Sequence, residues 1–464
     1  MLRRVNLWLI NVVLLGVLQG CGGCGDDEPG VVRPDRDSQV EEEDASFIGP
    51  DTGPPPIDVP DASDIYPGEP PEELEGEQCA AHTNKIYELM TTTGNVAPAQ
   101  LAVDNLSAHF GMAFVSAQED LMCTSGVSFA ELYGPPGSVE AAPMIAYDEC
   151  TLVEQAAIGR GDEAWLIAIV DNRMEARDLW VHAFDPDSGD TRAKHRITEN
   201  MAAEGSAAIV NLEPERALIA WTETAFDGTG TSLHAQFMNG GGEPTGDPIE
   251  IEAASAAFYS GMSMVELGEH FIGLVYKKEL DGVHSIVLDV LSRETAERDR
   301  DPWVLTAEAG AFGSADIASD SRAAGVVYTM WQGTSRQVWF QALGLDGRAL
   351  PVMMANQTGG PSEPNRIVGL PQLALDVSVA KLATGFVVAY RALPSVEVPQ
   401  PMIRVHFLDR GGEIIGSGAV ALAAMNGGQT ALESAFDGRL VLSWTDTDDE
   451  GVSTLRALVV PCGR

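Results

Sequence analysis

The sequence reads as an all-β chain in which seven similar four-stranded antiparallel sheets close into a ring. Three observations lead there. A short apolar run, often ending in an aromatic residue, recurs seven times along residues 79–464. Each copy is followed by the same succession of polar loop, alternating segment, turn and short extended piece. The last copy stops one strand short, and a spare strand stands ahead of the first.

The apolar runs are Met112 to Ser116, Leu166 to Val170, Leu218 to Trp221, Ile272 to Tyr276, Gly325 to Tyr328, Phe386 to Tyr390 and Leu440 to Trp444. Their ends lie 51 to 62 residues apart, a period typical of repeat architectures. These runs are apolar on both faces, so each predicts a strand buried between two neighbouring sheets. The next segment, as in Trp180 to Phe184, Val338 to Leu343 and Ile403 to Leu408, alternates and predicts a third strand lying further out. Turn residues follow, such as Asp185 to Gly189 and Asn239 to Gly242. A fourth piece comes next, as in Lys194 to Thr198 or Trp303 to Thr306. A weaker first strand, such as Ala207 to Leu212 or Met262 to Leu267, leads into the next run.

This pattern resembles the seven-bladed β-propeller, whose blades are four-stranded antiparallel sheets. The resemblance is architectural, since no WD dipeptide, kelch signature or Asp-box stands in register. The last repeat ends at Val460 after its third strand, and Lys85 to Met90 is the candidate fourth. Pairing the two would close the ring and remove its exposed edges.

Four dispersed cysteines fit this register. Paired residues of a hairpin have numbers with a constant sum, and the midpoint of Cys123 and Cys150 falls in the turn Gly134 to Gly137. Cys79 precedes the closing strand and Cys462 follows the strand it would pair with. Two disulfides are therefore expected, Cys123–Cys150 and Cys79–Cys462. The other two pairings conflict with the register, and four free thiols are the alternative. An exported chain retains such bridges.

Export is read from the N-terminus. Arg3 and Arg4 precede an apolar stretch, Leu7 to Leu18, that is too short to span a bilayer and suits a signal peptide. Leu18-Gln19-Gly20-Cys21 resembles the bacterial lipobox, with Gln19 departing slightly from the usual small or apolar residue. The resemblance implies a lipoprotein signal peptide over residues 1–20, cleavage after Gly20, and diacylglyceryl and palmitate-type acylation at Cys21. Two or three acyl chains make a durable membrane anchor where one is marginal. Gly22 lacks the Asp that, by resemblance to the enterobacterial sorting pattern, retains a lipoprotein at the inner membrane. Outer-membrane placement in the cell envelope, facing the periplasm or the surface, is the expectation.

Residues 21–78 read as a disordered tether. Between 25 and 77 stand eighteen Asp or Glu and ten Pro, with few apolar residues, so the segment cannot bury enough surface to offset its ordering entropy. Proline and charge repulsion extend it, to a reach on the order of 150 Å at ~3.1 Å per residue.

The net charge of −41 argues against nucleic acid as a partner. No Gly-x-Ser-x-Gly, His-Glu-x-x-His, phosphate loop or dinucleotide fingerprint is present, so no catalytic residue, metal ligand or cofactor is assigned. His182, His234, His284 and His406 fall on third strands and are expected at outer, solvent-facing positions of different blades. Loops from second to third strands share one face and carry Glu119, Asp120, Asp171, Glu175, Asp178, Glu223, Asp227, Glu279, Asp281, Glu397, Asp446, Asp448, Asp449 and Glu450. This acidic face offers a cation or basic partner a site, or is simply solvated. Asp446 to Gly451 resembles the start of a calcium loop, but Ala457 stands where the closing Glu belongs. The first strands offer only Asn211 and Glu266 toward a central channel. The expected function is a lipid-anchored, non-enzymatic binding module with a protein or glycan ligand at one face. The alternative is an envelope hydrolase or lyase with its site in the channel.

Overall fold

The computed structural model describes residues 86–92, 100–104, 109–118, 123–132, 144–151 and 153–461. The last span is interrupted at 162–163, 172–176, 201, 214, 229, 311–312, 333–334, 351–363, 367–372, 394–400, 423–429, 436–437 and 449. Cys21, Cys79 and Cys462, with the leader and tether, lie outside the described residues.

Among the described residues the chain forms 28 strands and no helix. Strand β1 (Ile86–Thr92) comes first and is used last. Blade 1 holds β2 (Gln100–Asp104), β3 (His109–Gln118), β4 (Cys123–Leu132) and β5 (Met144–Thr151). Blade 2 holds β6 (Val153–Arg160), β7 (Trp165–Asp171), β8 (Asp178–Asp185) and β9 (Asp190–Arg196). Blade 3 holds β10 (Ala203–Glu213), β11 (Arg216–Thr224), β12 (Thr231–Asn239) and β13 (Pro244–Ser255). Blade 4 holds β14 (Phe258–Leu267), β15 (Phe271–Leu280), β16 (Val283–Ser292) and β17 (Trp303–Thr306). Blade 5 holds β18 (Ala315–Ser319), β19 (Ala324–Gln332), β20 (Ser335–Leu343) and β21 (Asn365–Arg366). Blade 6 holds β22 (Ala374–Lys381), β23 (Gly385–Ala392), β24 (Met402–Asp409) and β25 (Ile414–Leu422). Blade 7 holds β26 (Ala431–Ser434), β27 (Arg439–Thr447) and β28 (Ser453–Pro461), and its fourth strand is β1. The protein is a seven-bladed β-propeller.

Closure follows the expected route. Strand β1 pairs antiparallel with β28, Ile86 opposite Leu458 and Thr92 opposite Ser453, so Ile86 and Pro461 leave the blade at the same end. All seven apolar runs fall on second strands. Seven hydrophobic clusters hold the ring, one at each seam between neighbouring blades. The seam between blades 7 and 1 is built like the others: Leu89, Val441, Leu455 and Ala457 pack on Phe110, Met112, Phe114 and Leu132. Burying each such side chain contributes roughly 1.5–3 kcal/mol, so stability lies between the blades rather than within any one sheet. Second-strand glycines permit the approach. A Cβ on Gly111 would stand 2.7 Å from the Trp165 ring of blade 2, and one on Gly273 would stand 2.7 Å from Ile317 of blade 5.

The third strands differ from expectation. β8, β12 and β20 are buried almost throughout, while β24 and the first half of β28 alternate as expected. Neighbouring blades overlap across both middle strands, so Leu179, Val181 and Ala183 of β8 pack against Ile219 and Trp221 of blade 3. The outer, solvent-facing role falls to the fourth strands, β9 and β13.

In blade 1, Phe129 lies opposite Met144 and Ser128 opposite Ile145, the register expected from the turn midpoint. Two irregularities then advance the pairing by three residues, so that Thr151 lies opposite Ser125. The side chains of Cys123 and Cys150 are outside the described residues.

Candidate functional site: the channel and one loop face

The seven first strands surround a central channel of about 720 Å³. Asn211 and Glu266 line it as expected, but so do Asp316, Asp320, Lys381 and Glu433. The last four correct the expectation of a channel poor in charged groups. Asp316 and Glu433 sit on strands of five and four residues, each one turn ahead of an apolar run. That position was the signal available in the sequence.

Several polar groups in and around the channel join blades. The Asp316 carboxylate accepts hydrogen bonds from Ser263 Oγ of blade 4 (2.6 Å), from Ser378 Oγ and Val379 N of blade 6 (2.9 and 2.8 Å), and from Ile317 N (2.9 Å). Burial pushes its carboxyl up, and these four donors oppose that. Asn211 Oδ1 accepts from Arg160 N of blade 2 at 2.8 Å, and Gln155 Nε2 donates to Ala207 O at 3.2 Å. Glu266 pairs with Arg293 at 2.5 Å, and Asp320 with Arg410 at 2.9 Å. Thr430 of blade 7 donates to Asp376 O of blade 6. Asp316→Ala is therefore expected to lower unfolding stability by about 1–2 kcal/mol, because channel water can replace part of what the three strands lose. A urea titration checks this.

Glu433 is different. Among the described residues its Oε1 accepts only from the neighbouring Ser434 N, at 2.9 Å. Burial pushes its carboxyl up to about 7, against Ser434 N and the charge of Lys381, while Asp316 adds to the rise.

The histidines are not at solvent positions. His182 is fully buried. His234 stacks on Trp221, with centroids 5.6 Å apart, and meets Ser232 Oγ at 2.8 Å. His406 stacks on Tyr390 and meets its hydroxyl at 3.1 Å; burial pushes this imidazole down to about 4. His284 lies 3.5 Å from Glu279. The sandwiched third strands explain this. The four also occupy unequal rungs, opposite Ile167, Trp221, Glu279 and Val388.

The acidic loops are partly committed to local partners. Asp178, buried, holds Arg196 through both oxygens at 2.8 and 2.9 Å. Glu223 accepts from Asn200 at 2.9 Å. Asp448 caps its own turn through Glu450 N and Val452 N, and Asp446 holds Arg456 at 3.2 Å. Among the described residues no group of three His, Cys, Asp or Glu is placed to hold a metal. Glu119, Asp120, Glu175, Glu397 and Asp449 lie outside those residues.

Glu204, at the start of β10, was not singled out in the sequence. It is fully buried, and neither carboxylate oxygen has a hydrogen-bond partner among the described residues. Burial pushes it up to about 8, and the charges of Glu223 and Asp178 add to the rise.

The same loop face carries apolar side chains that sequence reasoning also missed. Phe226, in the β11–β12 turn, is 78 % exposed, and Phe258, first residue of β14, is 52 % exposed. Leu280 and Val283, flanking the β15–β16 turn, are 41 and 49 % exposed. Second-to-third turns and the links into each next first strand emerge on one face of a propeller, so the four belong to one side of blades 3 and 4. Phe258 lies directly opposite Glu279, next to Leu280. The other large exposed apolar residues, Val304 and Ile414, stand apart on fourth strands.

No family model matches the chain, and no curated protein is similar to it in sequence. Similar solved structures include a subtype N10 neuraminidase-like protein of A/little yellow-shouldered bat/Guatemala/060/2010. It is 5 % identical with a TM-score of 0.42, and the match covers 83 % of this chain and 100 % of that one. A protein of unknown function from Dyadobacter fermentans is 11 % identical with a TM-score of 0.43, covering 82 and 99 %. The fucose-specific lectin of Aleuria aurantia is 12 % identical with a TM-score of 0.38, covering 72 and 96 %. Likenesses this distant say nothing of what the present chain binds.

Proposed function

We propose that this chain is a cell-envelope lipoprotein, anchored through acylated Cys21, whose propeller acts as a non-enzymatic binding module through the face of its second-to-third turns. The observation that carries the binding reading is the group Phe226, Phe258, Leu280 and Val283 on one side of blades 3 and 4. Exposed apolar groups rimmed by polar residues mark interaction sites. Of the channel carboxylates, by contrast, Asp316 and Asp320 are occupied in joining blades, and Glu266 is held by Arg293 within its own blade. The ligand is a protein or a glycan, presented to the module on the outer-membrane side of a flexible tether.

A photo-crosslinking residue placed at Phe226 in cells is expected to yield a defined adduct, while the same residue at Val304 yields none. Equal labelling at both positions would remove the face from the proposal.

The anchor and the two disulfides belong to the same proposal. Mass mapping of the exported chain without reductant is expected to show a lipidated N-terminal Cys21 and linked peptides Cys79–Cys462 and Cys123–Cys150. Free thiols at these four positions would refute the bridges and leave the ring held by its seams alone.

A second reading is favoured by one observation. Glu433, at about 7 and within the field of Lys381, is poised as a proton donor in a channel of ligand size. Turnover of an envelope polymer that Glu433→Gln abolishes, with the fold intact, would establish a hydrolase or lyase instead.

A further inference from the structure

The partner class for the blade 3–4 face can be narrowed from the chemistry around it. We propose, resting on the binding reading above, that this face docks a cationic amphipathic polypeptide segment. Its apolar side chains would lie on Phe226, Phe258, Leu280 and Val283, and its lysines or arginines against the surrounding carboxylates.

The exposed charge beside the apolar group is of one sign. Asp227 follows Phe226 in its turn, Asp281 sits between Leu280 and Val283, and the Glu279 side chain is 43 % exposed opposite Phe258. Glu308 is exposed on the link that runs beside β16, where Ala309 N donates to His284 O at 3.0 Å. The nearby cations are withdrawn: Lys277 and Lys278 are half-buried, and the Lys278 ammonium is held by Glu252 at 3.1 Å. A cationic partner meets complementary charge here, and an anionic one meets repulsion. The net charge of −41 steers the same choice at longer range.

The apolar platform is pre-formed. Phe226 sits in a turn closed by Gly228 N to Ala225 O (2.8 Å) and Ala225 N to Gly230 O (3.0 Å). Leu280 and Val283 pair across the two-residue turn Asp281-Gly282, whose positive φ values of 52° and 77° suit Asp and Gly. Little ordering remains to be done on binding. Leucine and valine also favour polypeptide over glycan, because a sugar ring stacks on aromatic faces and seeks hydrogen bonds, which these two aliphatic side chains do not supply.

The test uses the full chain in nanodiscs of zwitterionic lipid, with empty discs as blank, and fluorescein-labelled peptides alternating leucine with lysine or leucine with glutamate. The lysine peptide is expected to bind at least roughly tenfold more tightly than the glutamate peptide. Phe226→Ser with Leu280→Ser should weaken it by a similar factor, and Asp227→Asn with Glu279→Gln should weaken it and flatten its salt dependence. Unchanged urea midpoints show the variants folded. Equal binding of the two peptides, or no effect of either pair of substitutions, overturns the proposal. Binding of a neutral oligosaccharide pool that the Phe226 and Leu280 variants abolish overturns the partner class but leaves the face. Absence of any adduct at Phe226 in cells removes the face itself.

Discussion

Asp289→Ala is expected to lower unfolding stability by about 3 kcal/mol, the low end of the cost of breaking a buried ion pair, since Glu252 still compensates Arg298. Asp289 on β16 is fully buried. It accepts from Arg298 Nε at 2.8 Å, from Arg298 Nη2 at 3.0 Å and from Tyr276 Oη at 2.9 Å. Arg298 also reaches Glu252 of blade 3 at 2.6 Å, and Glu252 holds Lys278 at 3.1 Å. One carboxylate therefore anchors a network that crosses the seam between blades 3 and 4. Burial pushes the Asp289 carboxyl up, while Arg298 and Tyr276 pull it back. Alanine leaves the Tyr276 hydroxyl without its acceptor and Arg298 with Glu252 alone. Asn retains one acceptor and the shape, so Asp289→Asn should cost less, about 1–3 kcal/mol. Tryptophan fluorescence in a urea titration measures both. A loss below about 1 kcal/mol for alanine would mean that the network contributes nothing net.

Glu204→Gln is expected to stabilise the protein at alkaline pH and to leave it unchanged near pH 4.5. The folded carboxyl lies at about 8 against an ordinary value of 4.5. Between these values the native state holds a proton that the unfolded chain has released, so stability falls as pH rises through the window. Above about 8 the carboxylate is charged in both states, and the full penalty of burying it remains. Discounted for partial screening by the loops around it, that penalty is about 2–4 kcal/mol. Glutamine keeps the shape without the charge, so the variant should exceed the parent by that amount at pH 9. Parallel pH profiles of unfolding stability would show that Glu204 is already ionised at no cost in the fold.

How much of this was legible in the sequence depended on whether local pattern or neighbouring blades set the outcome. Second strands such as Leu166 to Val170 were readable, because a run apolar on both faces has one stable place in a stack of sheets. The closing strand was readable too, since a missing fourth strand must be supplied by the other end of the chain. Third strands were misplaced because polar residues in them, such as His182 and Gln341, suggested solvent, whereas blade overlap buries both. The channel carboxylates Asp316 and Glu433 escaped notice because four- and five-residue strands carry too little periodicity to be traced. Phe226 was overlooked within a turn, although a phenylalanine between two strands with no partner in either was itself the available signal.

In the function proposed above, a closed ring presents the blade 3–4 face to its partner while channel groups such as Asp316 join neighbouring blades. Hydrogen exchange of the full chain, with and without solubilised envelope, tests it most directly. Slower exchange is expected at amides 225–230 and 279–284, with none at 314–319 or 431–434. Protection confined to the two channel strands, with both turns unchanged, would contradict the account and point to the cavity around Glu433.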